Sequence, residues 1–211
     1  SGRRLGEIVF AGDTLEALPE RKYDLVIGNP PFGRVRLPEH LRTRFAAGLY
    51  GHANLYGLFM HAAIDICADH GIVALITPTS YLGGQYFTNL RRLLIERAPP
   101  IAFDLVLQRR DVFRSVLQET AVSYFRKGGA PKKVEVSLVT IDGSAVVSGK
   151  VATLALPLQA GVPWPLPRGS EGVFLSKRMA KMATRLSDWG YRIKTGPLVW
   201  NRHRDEIAAA V

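Results

Sequence analysis

The stretch Asp24-Leu25-Val26-Ile27-Gly28-Asn29-Pro30-Pro31-Phe32 holds the residues whose types and spacing best suit chemistry. A short apolar run ends in a loop that presents an amide side chain, a main-chain carbonyl and an aromatic ring. Proline fixes φ and has no N–H, so the loop is stiff and the carbonyls before the rings are left to bond elsewhere. An amino group on an aromatic base is a poor nucleophile, because its lone pair is delocalised into the ring. Two acceptors, the Asn29 side-chain oxygen and the Pro30 carbonyl, would hold both amino hydrogens and let the nitrogen pyramidalise toward a methyl donor. Phe32 would stack on the base. Acceptors fixed in advance stabilise charge only as it develops, so they bind the transition state better than the ground state. The plainer reading of Asn29-Pro30-Pro31 is a rigid turn.

The surrounding pattern places this loop at the carboxyl edge of a parallel sheet, where α/β folds bind ligands. From residue 7 to about 127, short apolar strands alternate with helical segments. Strands are expected at Glu7–Ala11, which ends in Gly12-Asp13, at Tyr23–Ile27, and at Ile72–Ile76, whose unbroken apolar run suits a strand covered on both faces. Further strands are expected at Ile101–Leu107 and Thr120–Arg126, the last two as antiparallel neighbours at one edge. Asn54 can cap a helix with apolar positions Leu55, Leu58, Phe59, Ala62 and Ile66, closed by Gly71. A second helix is expected near Gln85–Arg97. A turn at Gly128-Gly129 precedes an extra strand, Val134–Ile141. Residues 142–170, rich in Gly, Pro, Ser and Val, read as an extended crossover, and helical character returns near Phe174–Leu186.

With 28 basic against 18 acidic residues, the chain carries a formal charge of +10, and 20 of the basic residues are arginine. Such an excess suits a polyanionic partner, although a solvated basic face is the commoner meaning. The connector with Arg34, Arg36, Arg42 and Arg44, directly after the proline loop, is the first candidate for phosphate contact. A stretch with Lys177, Arg178, Lys181 and Arg185 is the second. The composition is 47% hydrophobic and 22% charged, which excludes disorder as the main state. No apolar run approaches a membrane span and no secretory signal is legible, so no membrane partner is expected. The one cysteine, Cys67, forms no internal disulfide, which points to a reducing, cytoplasmic location. His40, His52, His61, His70 and His203 show no metal spacing, and no metal is expected. Ser80 and Cys67 lack the setting of a nucleophile.

These residues resemble the S-adenosylmethionine-dependent DNA adenine-N6 methyltransferases of restriction-modification systems, whose catalytic motif is Asn-Pro-Pro followed by an aromatic. Asn54-Leu55-Tyr56-Gly57-Leu58-Phe59, Gly71 to Pro78, Leu90-Arg91, and Asp111-Val112-Phe113 with Thr120-Ala121-Val122 are similar to the next motifs of that family in order, and the likeness covers roughly residues 7–127. The resemblance implies an α/β fold with part of a Rossmann-like class I methyltransferase sheet. It implies S-adenosylmethionine as cofactor, double-stranded DNA as substrate with the target base flipped out, and room for other restriction-modification subunits. Carried over, Asn29, Pro30, Pro31 and Phe32 are the catalytic loop and Phe113 supports the extruded base. Asp13, with Thr14 beside it, receives the cofactor's adenine amino group, and Phe59 lines its pocket. Competing readings are a helix cap for Asp13, with Glu16 three residues on, and ordinary core positions for Phe59 and Phe113.

The family's glycine-rich cofactor loop and the following strand with its ribose-binding acid are not found, so the chain reads as a fragment that starts late in the cofactor domain. Alone it is expected neither to bind the cofactor tightly nor to methylate DNA. The implied organisation is a partial catalytic domain over 1–127, an extra strand and crossover over 128–170, and the start of a target-recognition region over 171–211. For that region, Trp189 to Tyr191 and Thr195 to Arg202 carry the likeness. Two further readings stay open: an amino-methyltransferase for cytosine N4, RNA adenine or protein glutamine, and a non-catalytic DNA-binding or subunit-interaction module.

Overall fold

The computed structural model describes residues 11–106, 119–142, 145–159, 161–179 and 181–192. The chain divides into two compact units, residues 1–174 and 175–211. The first is built on a six-stranded mixed sheet in the order β1-β4-β6-β5-β7-β8. Its strands are β1 (Tyr23–Gly28), β4 (Cys67–Pro78), β5 (Pro100–Val106), β6 (Thr120–Arg126), β7 (Val134–Asp142) and β8 (Ala145–Leu154). The pairs β1/β4 and β5/β7 are parallel and the other three antiparallel. A two-stranded ribbon joins β2 (Arg34–Val35) to β3 (Ala53–Asn54). The helices are α1 (Glu39–Arg44), α2 (Leu55–Ile66), α3 (Ser80–Gly83), α4 (Thr88–Arg97) and α5 (Ser170–Met179).

The α/β architecture follows the alternation legible in the sequence. Every expected strand within the described residues is present, and most of Glu7–Ala11 lies outside them. β5 and β6 are antiparallel neighbours as expected, but they lie inside the sheet, because β7 and β8 extend it beyond β5. The supposed crossover over 142–170 contains a full strand, β8, before its extended part. The basic connector is also structured, holding β2 and α1, and the fourth helix starts at Thr88 after a 3₁₀ turn at Gln85–Phe87. The last helix lies at Ser170–Met179, upstream of the expected span.

α2 is apolar around most of its circumference, and the structure uses both sides. Tyr56, Met60, Ala63 and Ile64 join the main core with Val73, Leu75, Phe103, Leu105, Phe125, Leu90 and Leu94. Leu58 and Ala62 face a smaller cluster with Leu15, Leu41 and Phe45. The alternate sheet residues Leu25, Ile27, Ile72, Ile76 and Val122 join neither cluster, and Leu25 and Ile27 are 56% and 73% exposed. Helical cover on both faces of β4 is therefore not found among the described residues.

Gly71 does not cap α2, which stops at Ile66 with Cys67 already extended. Gly71 lies inside β4, where a Cβ would sit 2.7 Å from Cys67 Sγ and 2.9 Å from the carbonyl oxygens of Ala68 and Asp24. Glycine is needed there because β1 approaches closely, and it is His70 that takes the left-handed conformation (φ 65°). Cys67 is buried as expected, though at the start of β4 rather than on the helix.

Candidate active site

β1 runs parallel to β4 with Gly28 opposite Leu75, and the chain leaves the sheet at Asn29. The loop is tied at both ends. At its start, a Cβ on Gly28 would lie 3.1 Å from the Leu75 side chain, so the strand sits close on its neighbour. At its end, Gly33 has φ +120°, its carbonyl accepts the Leu55 N–H at 2.9 Å, and Arg34 pairs with Asn54 in the β2/β3 ribbon. Between these anchors Asn29 and Pro31 are exposed, Pro30 is buried and Phe32 is half-buried against the main core.

Phe32 is held by an aromatic stack that motif reading did not single out. Its ring meets Tyr56 edge-on at 6.2 Å between centroids, and Tyr56 stacks on Phe87 at 5.2 Å. The Tyr56 hydroxyl and Ser80 Oγ are 2.7 Å apart. Burial pushes the Tyr56 phenol well above its ordinary range, and the Ser80 bond offsets only part of that, so Tyr56 stays protonated. Ser80 thus serves as the partner of a supporting tyrosine. Tyr81, the next residue, is buried, and its hydroxyl donates to Ser123 Oγ at 2.7 Å.

A buried arginine fixes the turn that supplies Ser80 and Phe87. Arg91 of α4 donates to the carbonyls of Tyr81 (2.7 Å), Gly84 (2.9 Å), Gly161 (2.9 Å) and Val162 (3.2 Å). It joins α3 to the segment after β8, whose Trp164 main-chain N–H donates to the Leu82 carbonyl at 2.7 Å and whose indole lies edge-on to Tyr81. Glu119, at the entrance to β6, adds a further tie. It accepts from Thr79 Oγ1 at 2.9 Å and from two Arg168 nitrogens at 2.6 Å, and these bonds to Glu119 push the Arg168 pKa up.

The other expected site residues fall into three groups. Asp13 caps a turn over residues 14–16 and not the helix that the cap reading expects: Oδ1 accepts the Leu15 N–H at 2.9 Å. The Glu16 carboxylate does not complete a capping box, because it bonds His40 Nε2 at 2.7 Å. Thr14 is exposed in the same turn. Phe59 is half-buried against the small cluster that Leu15 joins, so it shares a neighbourhood with the Asp13 turn. Asn54 stands at the start of α2, but its side chain makes no cap bond and its Oδ1 is buried without a hydrogen-bond partner. Among the arginines, Arg44 is committed to the carbonyls of Leu15 (3.3 Å) and Glu16 (3.0 Å) and lies over the Phe45 ring. Arg36 and Arg42 are exposed, and Arg34 lies over the Tyr86 ring. Phe113 lies outside the described residues, as does the segment Thr195 to Arg202.

A proline-stiffened loop with an exposed Asn29 at the carboxyl end of a parallel strand is the placement expected from the motif, and the brace behind Phe32 is added by the structure. The model of the Eco57I restriction-modification methylase family matches residues 9–113. These residues are an Eco57I restriction-modification methylase domain. The chain is 28% identical to the type II methyltransferase M.BsuBI of Bacillus subtilis over 138 residues, covering 64% of the chain and 27% of the relative. It is 25% identical to M.PstI of Providencia stuartii over 197 residues, covering 89% of the chain and 38% of the relative. The chain therefore spans between about a quarter and two fifths of these relatives. The fold also matches the methyltransferase subunit of a type I restriction-modification system from Streptococcus thermophilus, with a TM-score of 0.51 and 17% identity over 64% of this chain and 32% of that one. The methylase domain contains β1, the Asn29–Phe32 loop, α2, β4, α4 and β5, whereas β6, β7 and β8 follow it. No helix among the described residues is long and apolar enough to cross a membrane.

Proposed function

We propose that the protein carrying this domain transfers a methyl group from S-adenosylmethionine to adenine N6 of DNA within a restriction-modification system. The observation that carries the reading is the Asn29–Phe32 loop, anchored at Gly28 and Gly33, with Asn29 exposed and Phe32 braced by Tyr56. Asn29 Oδ1 and the Pro30 carbonyl accept the two amino hydrogens, and Phe32 covers the face of the flipped base. The donor set fits the adenine end of the cofactor: Asp13 is exposed and uses one carboxylate oxygen for its own turn, leaving the other to accept from an amino group. When bound, S-adenosylmethionine supplies the electrophilic methyl. Arg34 on the ribbon, Arg36 in the link after it and Arg42 on α1 meet the DNA phosphates, Phe113 supports the base, and residues 171–211 open the target-recognition region.

The test uses the full-length protein, a labelled-methyl assay and nucleoside analysis of the product. Asn29→Ala should abolish transfer while DNA affinity stays within about tenfold, because the lost acceptor acts mainly in the transition state. Retained turnover would remove Asn29 from the mechanism. N6-methyladenine is the expected product; N4-methylcytosine would select the alternative substrate, and no transfer by the unaltered protein would favour a binding module.

A further inference from the structure

The 3₁₀ turn Gln85–Phe87 sends adjacent rings in opposite directions. Phe87 points inward and stacks on Tyr56 behind the catalytic loop. Tyr86 points outward and is 48% exposed. Arg34, two residues after Phe32, places its guanidinium over the Tyr86 ring at 6.0 Å, and the His52 ring lies 5.7 Å from it at a tilt. Gly51, at φ +69°, lets its backbone approach this ring, since a Cβ there would meet Tyr86 Cδ1 and Cε1 at 3.2 Å. Both loops are fastened from beneath. Asn89 Nδ2 donates to the Leu49 carbonyl at 2.5 Å, Thr88 Oγ1 to the Gln85 carbonyl at 2.7 Å, and Arg91 to the Gly84 carbonyl at 2.9 Å.

This anchoring buries none of the three outward groups, since Arg34 and His52 are also exposed. An exposed aromatic face beside a guanidinium and an imidazole, on a chain of charge +10, is complementary to a polyanion that carries flat bases. We infer that Arg34, Tyr86 and His52 form the contact surface for the nucleic-acid strand beside the target nucleotide, with Tyr86 stacking on a flanking base and Arg34 reaching a phosphate. The inference rests on the proposed DNA substrate and deepens it, because it says which side of the loop the strand follows. Arg34 thereby acts with an aromatic partner on a second loop, and Arg44, committed to carbonyls near Leu15, is left out of the surface.

The test measures binding of the 211-residue chain to a short fluorescein-labelled single-stranded oligodeoxynucleotide and to its duplex by anisotropy, over a salt series. Tyr86→Ala should weaken single-strand binding about tenfold, whereas Tyr86→Phe should stay within about twofold because the stacking face remains. Arg34→Gln should weaken binding to both probes and reduce the log–log salt slope by about one. Arg92→Gln, on an exposed position of α4, controls for general loss of charge. Thermal melts of all variants should match the unaltered chain, since the substituted groups are exposed. Binding by Tyr86→Ala and Arg34→Gln equal to that of the unaltered chain would overturn the inference, and so would absence of binding by the unaltered chain. The methyltransferase reading fails separately, on the labelled-methyl assay with Asn29→Ala.

Discussion

Arg91 is the buried cation on which the support behind the Asn29–Phe32 loop depends, and its removal has a calculable effect. Hydrogen bonds from a charged donor contribute about 1.5–3 kcal/mol each, so its four carbonyl partners would sum to about 6–12 kcal/mol. That sum is too large for one substitution, because taking the guanidinium out of water costs several kcal/mol and is recovered when it goes. The carbonyls also differ. Those of Gly84, Gly161 and Val162 lie in partly buried positions that water can reach once the fork is gone, while the Tyr81 carbonyl is in a buried bond. Leaving that one unmet costs about 1–3 kcal/mol. Arg91→Met keeps most of the stem packing, so a net loss of about 3 kcal/mol is expected, a large share of the usual 5–15 kcal/mol. Urea unfolding of the 211-residue chain measures the loss, and limited proteolysis reads whether residues 155–166 come loose from α3. Arg91→Lys should restore only part, because a point charge cannot reproduce a fork that meets four carbonyls. A loss below about 0.5 kcal/mol for Arg91→Met would show that the arginine ties nothing down, and would refute the reasoning.

Gly71→Ala should destabilise the chain by about 2 kcal/mol or more, since the new methyl meets the Asp24 carbonyl oxygen, which cannot yield without parting β1 from β4, and the Ala68 carbonyl oxygen of β4's own backbone; near-unchanged urea unfolding would contradict the packing. Tyr56→Phe should cost about 1 kcal/mol through the Ser80 bond and leave methyl transfer by the full-length protein within a few-fold, whereas Tyr56→Leu removes the edge that braces Phe32 and should lower kcat; equal activity of the two would show that the brace is idle. Burial pushes the His61 imidazole below its ordinary value, with Asp65 opposing and Arg97 adding to the shift. The unfolded chain then binds more protons at His61 below about pH 6.5, so stability is fully present above that pH and falls as pH drops, by at most about 1.4 kcal/mol per pH unit. Urea midpoints of the chain and of His61→Gln between pH 7.5 and pH 5.5 test this, and an unchanged slope in the variant would remove His61 as the cause.

The strands were legible in the sequence because each is a short apolar run bounded by Gly, Pro or charged residues. Their neighbours in the sheet were not, because pairing is a tertiary choice. The short connection without helical period between Ile101–Leu107 and Thr120–Arg126 reads as an antiparallel pair at one edge, yet β6 pairs on both sides, with β4 and β5. β8 was missed for a compositional reason: its Ser148, Gly149 and Lys150 read as crossover, and only the long ladder with β7 makes them strand. Gly71 misled in the opposite direction. It is the first glycine after the helical pattern and so reads as its stop, although it stands five residues beyond Ile66, and the sequence carries no sign that its hydrogen faces the Asp24 carbonyl of the neighbouring strand.

The candidate site divides along the same line. Asn29 to Phe32 is contiguous, so the chemistry of its acceptors and ring could be argued before any coordinate was known. What holds the ring comes from three separate places, Tyr56 on α2, Ser80 on α3 and Phe87 before α4, and no spacing rule connects them. One signal was nevertheless present: Tyr86-Phe87 is an aromatic pair in a polar turn just before the α4 pattern. Two adjacent rings at the mouth of a helix cannot both enter one core, since successive side chains there diverge by about 100°. The structure resolves the pair accordingly, with Phe87 against Tyr56 and Tyr86 under Arg34. A single turn therefore supports the Phe32 ring through Phe87 and Tyr56 and also shapes the surface beside it. A substitution that shifts the turn, such as Gly84→Ala, whose Cβ would meet the Ser80 carbonyl oxygen at 2.7 Å and the Phe87 ring at 3.1 Å, should disturb base handling and strand contact together. In the full-length protein, a Gly84→Ala variant that lowered kcat while leaving oligonucleotide affinity untouched would separate the two and break this link.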